Sequence, residues 1–259
     1  VRELRDKAMV VEPLRDLYKD QVRVLGRKLG LPDHMVDRHP FPGPGLGIRV
    51  LCTETSYREP NHDELQTQLD SFLKKSGYSK YRTHLLPVRT VGVQGDGRSY
   101  RYLAGIEGPS NWPELIAMAR AIPNNNHAVN RVSYIFGDSV DREALGVTPT
   151  HLTPDALEQV RHADAIVTEV LRQYDLMANM SQMPVILVPL DFGVKDSRTI
   201  ALRPFKTPDF MTGVAAQPGV DIPEPALAEM VDRILNEVNG ITRVIYDLSS
   251  KPPGTTEWE

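Results

Sequence analysis

One succession of local patterns occurs twice in this sequence, and a pattern written twice restricts the chain to architectures in which two like units stack or pair. In the first unit the spacing predicts a helix around Asp63–Lys75 and an apolar strand at Leu85–Val93. A turn at Gly95-Asp96-Gly97-Arg98, a strand at Ser99–Ile106, a helix at Trp112–Ile122 and a strand at Arg131–Phe136 complete it. In the second, a helix runs over about Pro154–Met177 from a Thr153 cap with proline in its first turn. A strand at Pro184–Val194, a turn at Lys195-Asp196-Ser197-Arg198, a strand at Thr199–Phe205, a helix at Pro223–Val238 and a strand at Arg243–Leu248 follow. Gly92-Val93 echoes Gly193-Val194, Asp96-Gly97-Arg98 echoes Asp196-Ser197-Arg198, and Asn130–Tyr134 echoes Thr242–Tyr246. Each unit therefore reads α-β-β-α-β. Antiparallel sheets with helices on one face place the chain in the α+β class.

With 259 residues the chain is long enough for two or three compact units. Residues 1–51 hold one helical pattern, Leu17–Leu29, ended by Gly30 and Pro32, and then the run His39-Pro40-Phe41-Pro42-Gly43-Pro44-Gly45-Leu46-Gly47. One helix and a stiff loop bury little core, so 1–51 reads as the trailing edge of another domain with a rigid Pro/Gly hinge. The first repeat is assigned to 52–145 and the second to 146–259. The second carries an extra tail, Lys251-Pro252-Pro253-Gly254-Thr255-Thr256-Glu257-Trp258-Glu259. Chain ends usually fray into small polar residues, whereas this one holds a tryptophan, a lysine and two carboxylates behind a stiff Pro-Pro step. The matching strand of the first repeat is followed by Gly137-Asp138-Ser139 with no such loop. The tail thus reads as an addition docked into a site; a terminal strand with incidental charges is the plainer alternative.

The net charge of −4 and the absence of a long basic run argue against nucleic acid as a partner. A KH-like RNA-binding reading also lacks a Gly-x-x-Gly loop flanked by basic residues. The single cysteine, Cys52, rules out an intrachain disulfide and fits a reducing compartment; it reads as a small, partly buried residue. No apolar run approaches the ~18 residues that span a bilayer, and Val1–Asp6 is no signal peptide, so no membrane is expected as a partner. The chain does not begin with methionine, which fits a piece of a longer protein. The seven histidines lack ligand spacing, so no side-chain metal site is expected. Neither a Walker-type phosphate loop nor a Gly-x-Ser-x-Gly elbow occurs. The turn Gln94–Arg98 has the chemistry of a tight hairpin. It equally suits a ligand clamp in which Asp96 accepts hydrogen bonds and Arg98 grips a phosphate or carboxylate.

A set of long, compositionally unusual stretches runs through the chain: Glu12–Asp20, Arg38–Leu46, Val88–Arg98, Asp209-Phe210-Met211-Thr212 and the tail Lys251–Glu259. Together they resemble the C-terminal part of the glutamine-hydrolysing GMP synthetase family, in its longer, eukaryote-type form with two units where the shorter bacterial form has one. The resemblance implies a cytoplasmic ligase of three parts. A glutaminase domain makes ammonia, and an ATP-pyrophosphatase domain, using ATP with Mg2+, adenylates xanthosine monophosphate (XMP). A C-terminal domain dimerises and helps to hold XMP while ammonia displaces AMP to give GMP. By motif position, Lys251, Asp96, Gln182 and Glu257 bind XMP, with Arg98 and Thr256 beside them. Lys251 suits a phosphate as a point charge, Asp96 and Glu257 accept from ribose or purine groups, and Gln182 both donates and accepts. None is a proton-transfer catalyst; the implied role is positioning. The glutaminase domain and the Ser-Gly-Gly-x-Asp-Ser loop of the pyrophosphatase domain are missing from these residues, so they are not expected to make GMP alone. Expected partners are XMP and either a second copy in a homodimer or the chain's own second unit in an intrachain pseudo-dimer. The competing reading is an interaction module that self-associates without binding nucleotide.

Overall fold

The computed structural model describes residues 2–7, 9–95, 97–207 and 211–259, with Asp20 described by its backbone alone. The chain divides into two compact units, Val1–His39 and Pro40–Glu259. The first holds α1 (Arg2–Asp6), α2 (Lys19–Lys28) and α3 (Asp33–Val36). The Tyr18 N–H donates to the Gln21 side chain at 2.8 Å and starts α2, and Gly30 in the left-handed region (φ 80°) ends it. Arg27, in the last turn of α2, pairs with Asp33 and Asp37 and ties α2 to α3.

The second unit runs α4 (His62–Lys75), β1 (Arg82–Gln94), β2 (Gly97–Glu107), α5 (Trp112–Asn125), β3 (Val129–Ile135), α6 (Pro154–Gln173), β4 (Val185–Val188) and β5 (Arg198–Leu202). It continues with β6 (Phe205–Lys206), β7 (Val214–Ala215), α7 (Glu224–Glu237) and β8 (Ile241–Asp247). A single six-stranded sheet has the order β1-β2-β3-β8-β5-β4, and β6 and β7 form a separate two-stranded ribbon. The expectation of antiparallel sheets needs correction. β1–β2, β4–β5 and β3–β8 are antiparallel, but β2–β3 and β5–β8 are parallel. A helix lies between the strands of each parallel pair, and such a crossover returns the chain in the starting direction, where a tight hairpin reverses it.

Strand side chains alternate between two cores, as a period of 2 requires. Tyr102, Ala104, Val132, Tyr134, Ile200, Leu202, Val244 and Tyr246 pack with the apolar stripes of α4, α5, α6 and α7. Their neighbours Leu103, Ile135, Ala201 and Ile245 face a smaller core with Leu51, Val140, Leu145, Leu190 and Trp258, built from loops and the tail. Trp112 stands over the seam, its ring 5.3 Å from Tyr134 and 5.6 Å from Tyr246. Side-chain caps start two of the helices: Asn111 accepts from Glu114 N–H at 3.4 Å and Thr153 from Ala156 N–H at 3.2 Å.

Element lengths differ from expectation where a local break intervenes. α6 stops at Gln173 rather than Met177, and Asp175, at φ 54°, has left the helical region. β4 ends at Val188 because Pro189 has no N–H to continue the ladder. Cys52, expected to be partly buried, is exposed; it follows buried Leu51, and consecutive residues of extended chain point to opposite sides.

Candidate functional site

Two arginines on buried strands organise the tail. Arg131 on β3 and Arg203 just after β5 are both fully buried, as is Asp247 at the end of β8. Arg131 Nη1 donates to Asp247 Oδ2 at 2.8 Å, and Arg203 Nε lies 3.3 Å from the same oxygen. Burying ions costs several kcal/mol apiece unless pairing and hydrogen bonds replace water. One carboxylate cannot neutralise two guanidinium groups; carbonyl oxygens of β1 and of the chain after β8 supply further acceptors, while Arg131 Nε and Arg203 Nε make no hydrogen bond among the described residues. Arg131 Nη2 faces the carbonyls of Val91 (3.1 Å), Thr255 (3.0 Å) and Glu257 (2.8 Å) and the Thr255 hydroxyl (2.9 Å). Arg203 donates to the carbonyls of Ser249 and Thr255. Trp258 donates its indole N–H to Asp247 Oδ2 at 3.0 Å, and its ring lies 4.9 Å from the Arg131 guanidinium carbon. Burial lowers the Arg131 pKa to about 10, which leaves it a cation at neutral pH. Burial alone would push the Asp247 carboxyl up, but Arg203 and Arg131 outweigh it and hold it below the usual range.

The tail also pairs with β1. Val91 N–H donates to the Trp258 carbonyl at 3.0 Å and Val93 N–H to the Pro253 carbonyl at 2.7 Å. Between them Gly92 admits the close approach: a Cβ there would stand 2.6 Å from the Pro253 oxygen and 2.8 Å from Asn130 Nδ2. Val93 is in turn the register partner of Arg98 on β2, so the hairpin tip and the tail share one end of the sheet. Arg98 is exposed there. Asp96, at the tip, lies outside the described residues.

Lys251 is tied to the β6–β7 ribbon. Its N–H donates to the Gly213 carbonyl (2.8 Å) and its carbonyl accepts from Gly213 N–H (3.0 Å), one residue before β7. On β6, Phe205 exchanges main-chain hydrogen bonds with Gln182 at 2.9 and 3.2 Å. The Gln182 side-chain oxygen is buried without a hydrogen-bond partner among the described residues, and so is Glu257 Oε2. Burial raises the Glu257 pKa, with Arg49 and Arg131 only partly offsetting it. Thr256 is half-buried between Thr255 and Glu257. Pro253, Thr255 and Trp258 thus tie the tail to β1 of the strand pair carrying Arg98, Arg131 on β3 holds the Glu257 carbonyl, and Lys251 is bonded beside the β6–β7 ribbon whose Phe205 holds Gln182. The arrangement leaves two buried acceptors unsatisfied, an unusual condition in a native fold. A cleft of about 370 Å³ lies next to Trp258, bordered by Cys52, Tyr57, Arg58, Arg89 and Tyr100, and none of the expected residues that are described lines it. No described helix is long and apolar enough to cross a membrane.

Sequence reasoning missed Arg131, Arg203 and Asp247. The available signal was their position inside or at the ends of strands otherwise made of valine, isoleucine and leucine, where a charged side chain must find a partner.

Residues 157–258 match the family described as GMP synthase C terminal domain. GMP synthase [glutamine-hydrolyzing] of Dictyostelium discoideum is 43% identical over 299 aligned residues, covering 100% of this chain and 42% of that protein. The probable GMP synthase of Caenorhabditis elegans is 38% identical over 100% of this chain and 43% of that protein. That of Leptospira interrogans (serogroup Icterohaemorrhagiae, serovar copenhageni) is 36% identical over 100% of this chain and 41% of that protein. The chain thus spans about two-fifths of the length of these curated relatives.

Proposed function

The chain belongs to the glutamine-hydrolysing GMP synthase family, as its C-terminal part, and from that premise we propose that its tail and hairpin form the XMP-binding portion of such an enzyme. The parent reaction would convert XMP, ATP and glutamine to GMP, AMP, diphosphate and glutamate, with Mg2+ accompanying ATP. Lys251 would meet the phosphate, Asp96 and Glu257 the ribose and purine, and Arg98, Gln182 and Thr256 would complete the cradle. Their work is positioning: the purine O2 must be held where ATP and then ammonia can reach it. The observation that carries the reading is the 2.7 Å hydrogen bond from Val93 to Pro253, which sets the Lys251–Glu257 tail against the strand pair that carries Arg98. The buried Gln182 Oε1, without a hydrogen-bond partner among the described residues, supports it, since a purine and ribose bring donors.

The finer domain scheme belongs to the same proposal. Residues 1–51 are the end of an ATP-pyrophosphatase domain, and 52–145 and 146–259 are two α-β-β-α-β repeats. The β3–β8 pairing would stand where two chains meet in a dimer of single units, giving an intrachain pseudo-dimer. Residues 1–259 contain no Ser-Gly-Gly-x-Asp-Ser loop, so this stretch is proposed to bind XMP without itself making GMP, in a cytoplasmic setting.

Thermal melting of the chain with XMP tests the proposal. A hundredfold excess over Kd should stabilise the fold by roughly 2.7 kcal/mol, and Lys251→Ala should shrink the shift. A melting curve unmoved by millimolar XMP would remove nucleotide binding from this chain.

A further inference from the structure

Arg49 ends the 3-10 turn Gly45–Arg49, which begins within the proline-glycine run, and its side chain is only 6% exposed. One guanidinium nitrogen, Nη1, donates to Asp164 on α6 at 3.0 Å. Its Nε is buried and makes no hydrogen bond to any described residue. The atom opposite is Glu257 Oε2, 3.7 Å away, itself buried and also without a hydrogen bond. Two complementary groups, donor and acceptor, thus face each other just beyond hydrogen-bond range. Each is left unsatisfied, which is costly for buried charged groups. A shift of under an ångström would satisfy both. The main chain of Glu257 is already fixed through its carbonyl by Arg131, so the freedom that remains to this residue is the orientation of its carboxylate.

We propose that Arg49 is a positioning residue for the nucleotide site: its Nε–H engages Glu257 Oε2 and turns the other carboxylate oxygen toward a donor of bound XMP. The role rests on the XMP reading above. It also gives the 3-10 turn Gly45–Arg49 a direct bearing on the tail, because the residue that closes the turn aims the carboxylate. Asp164 keeps Arg49 from swinging away, and the positive charge opposes the burial that raises the Glu257 pKa.

The test has two arms on the intact chain. In the first, 13C-carboxyl NMR follows the titration of Glu257 without ligand, the resonance being assigned by its loss in Glu257→Gln. Arg49→Gln should move the Glu257 midpoint to higher pH, and Arg49→Lys should return it part of the way. An Arg49 that served only Asp164 and the packing of α6 would leave the midpoint where it is, and that result overturns the proposal. In the second arm, XMP affinity should fall about tenfold in Arg49→Gln, the loss expected for one charge-assisted hydrogen bond. It should fall no further when Arg49→Gln is added to Glu257→Gln, because the two changes remove one interaction. Full additivity of the two losses overturns the proposal. A wild-type chain that ignores XMP sinks the nucleotide reading and the positioning role with it, while the first arm still reports whether the two side chains couple. If Arg49→Gln does not fold, Arg49→Lys carries both arms.

Discussion

Tyr134 and Tyr246 are register partners across the antiparallel β3–β8 pair, and each donates its phenol to a carbonyl within its own half, Gly108 at 3.0 Å and Ala216 at 2.7 Å. Arg131 and Arg243 precede them by the same spacing. Because the strands run in opposite directions, each arginine reaches the segment that follows the other strand. Arg131 holds the tail after β8, and Arg243 donates to the carbonyls of Phe136 and Asp138 after β3. The two environments then part. Arg131 is fully buried with Asp247 and Trp258, whereas Arg243 is half-buried against the Phe192 ring.

Removing the anion from the buried cluster leaves two guanidinium groups without a counter-charge. Asp247→Asn should therefore lower stability by about 3–5 kcal/mol, the range for a broken buried pair. Trp258→Ala, which empties a fully buried site, should cost a similar ~3–5 kcal/mol. Urea unfolding at neutral pH measures both, and a change under about 1 kcal/mol in either would mean that the tail is not docked as described.

Gly92→Ala tests the same docking from the other side. The new methyl meets a main-chain oxygen, Pro253 O, which no side-chain rotation can clear. A loss of about 1–3 kcal/mol is expected, together with faster proteolytic cleavage within 249–259. Cleavage at the wild-type rate would count against the β1–tail pairing.

His84 gives a pH dependence with a definite sign. Its imidazole is fully buried beside Glu107, Arg142 and Arg82. Burial lowers its pKa to about 4; Glu107 pulls the other way, and the two arginines add to the lowering. The folded value lies below the unfolded one of about 6.5, so the unfolded chain binds a proton first. The stability present above pH 6.5 should thus be lost as pH falls toward 4, by on the order of 3 kcal/mol across the interval. Denaturant melts at several pH values should show a shallower slope in His84→Asn. Parallel slopes would remove His84 as the source.

Glu257 behaves in the opposite sense. Its folded pKa is raised, chiefly by burial, so ionising it above the unfolded pKa of about 4.3 costs stability. Glu257→Gln should melt higher than the wild type at pH 7 and equal to it near pH 4, while binding XMP more weakly. A lower Tm at neutral pH would show that the carboxylate is held favourably after all.

Much of the architecture was legible from period and punctuation. The Asp–Gly turn marked the β1–β2 hairpin, the Thr153 cap marked α6, and apolar stripes marked the helices. The single sheet was not, because Tyr134 meets Tyr246 by a pairing that no local pattern encodes. The β6–β7 ribbon is two residues a side, too short for periodicity to register. The tail announced itself by a tryptophan and a lysine among prolines, yet the arginines that receive it resembled surface residues in composition. Only their neighbours along the strands hinted at burial. Of the expected site residues, Asp96 lies outside the described part of the hairpin.

Both outer strands of the sheet carry hydrogen bonds from segments that are not strands. On β1, Val91 and Val93 bond to the tail, and the Pro87 carbonyl accepts from Tyr57 N–H; on β4, the Leu187 carbonyl accepts from Leu51 N–H. Open sheet edges are templates on which other chains add strands and aggregate. The docked tail therefore bears on colloidal behaviour, because it covers part of the β1 edge. A protein clipped before residue 249 would leave the Val91 and Val93 N–H groups vacant on an outer strand of the sheet, an edge open to pairing with other chains.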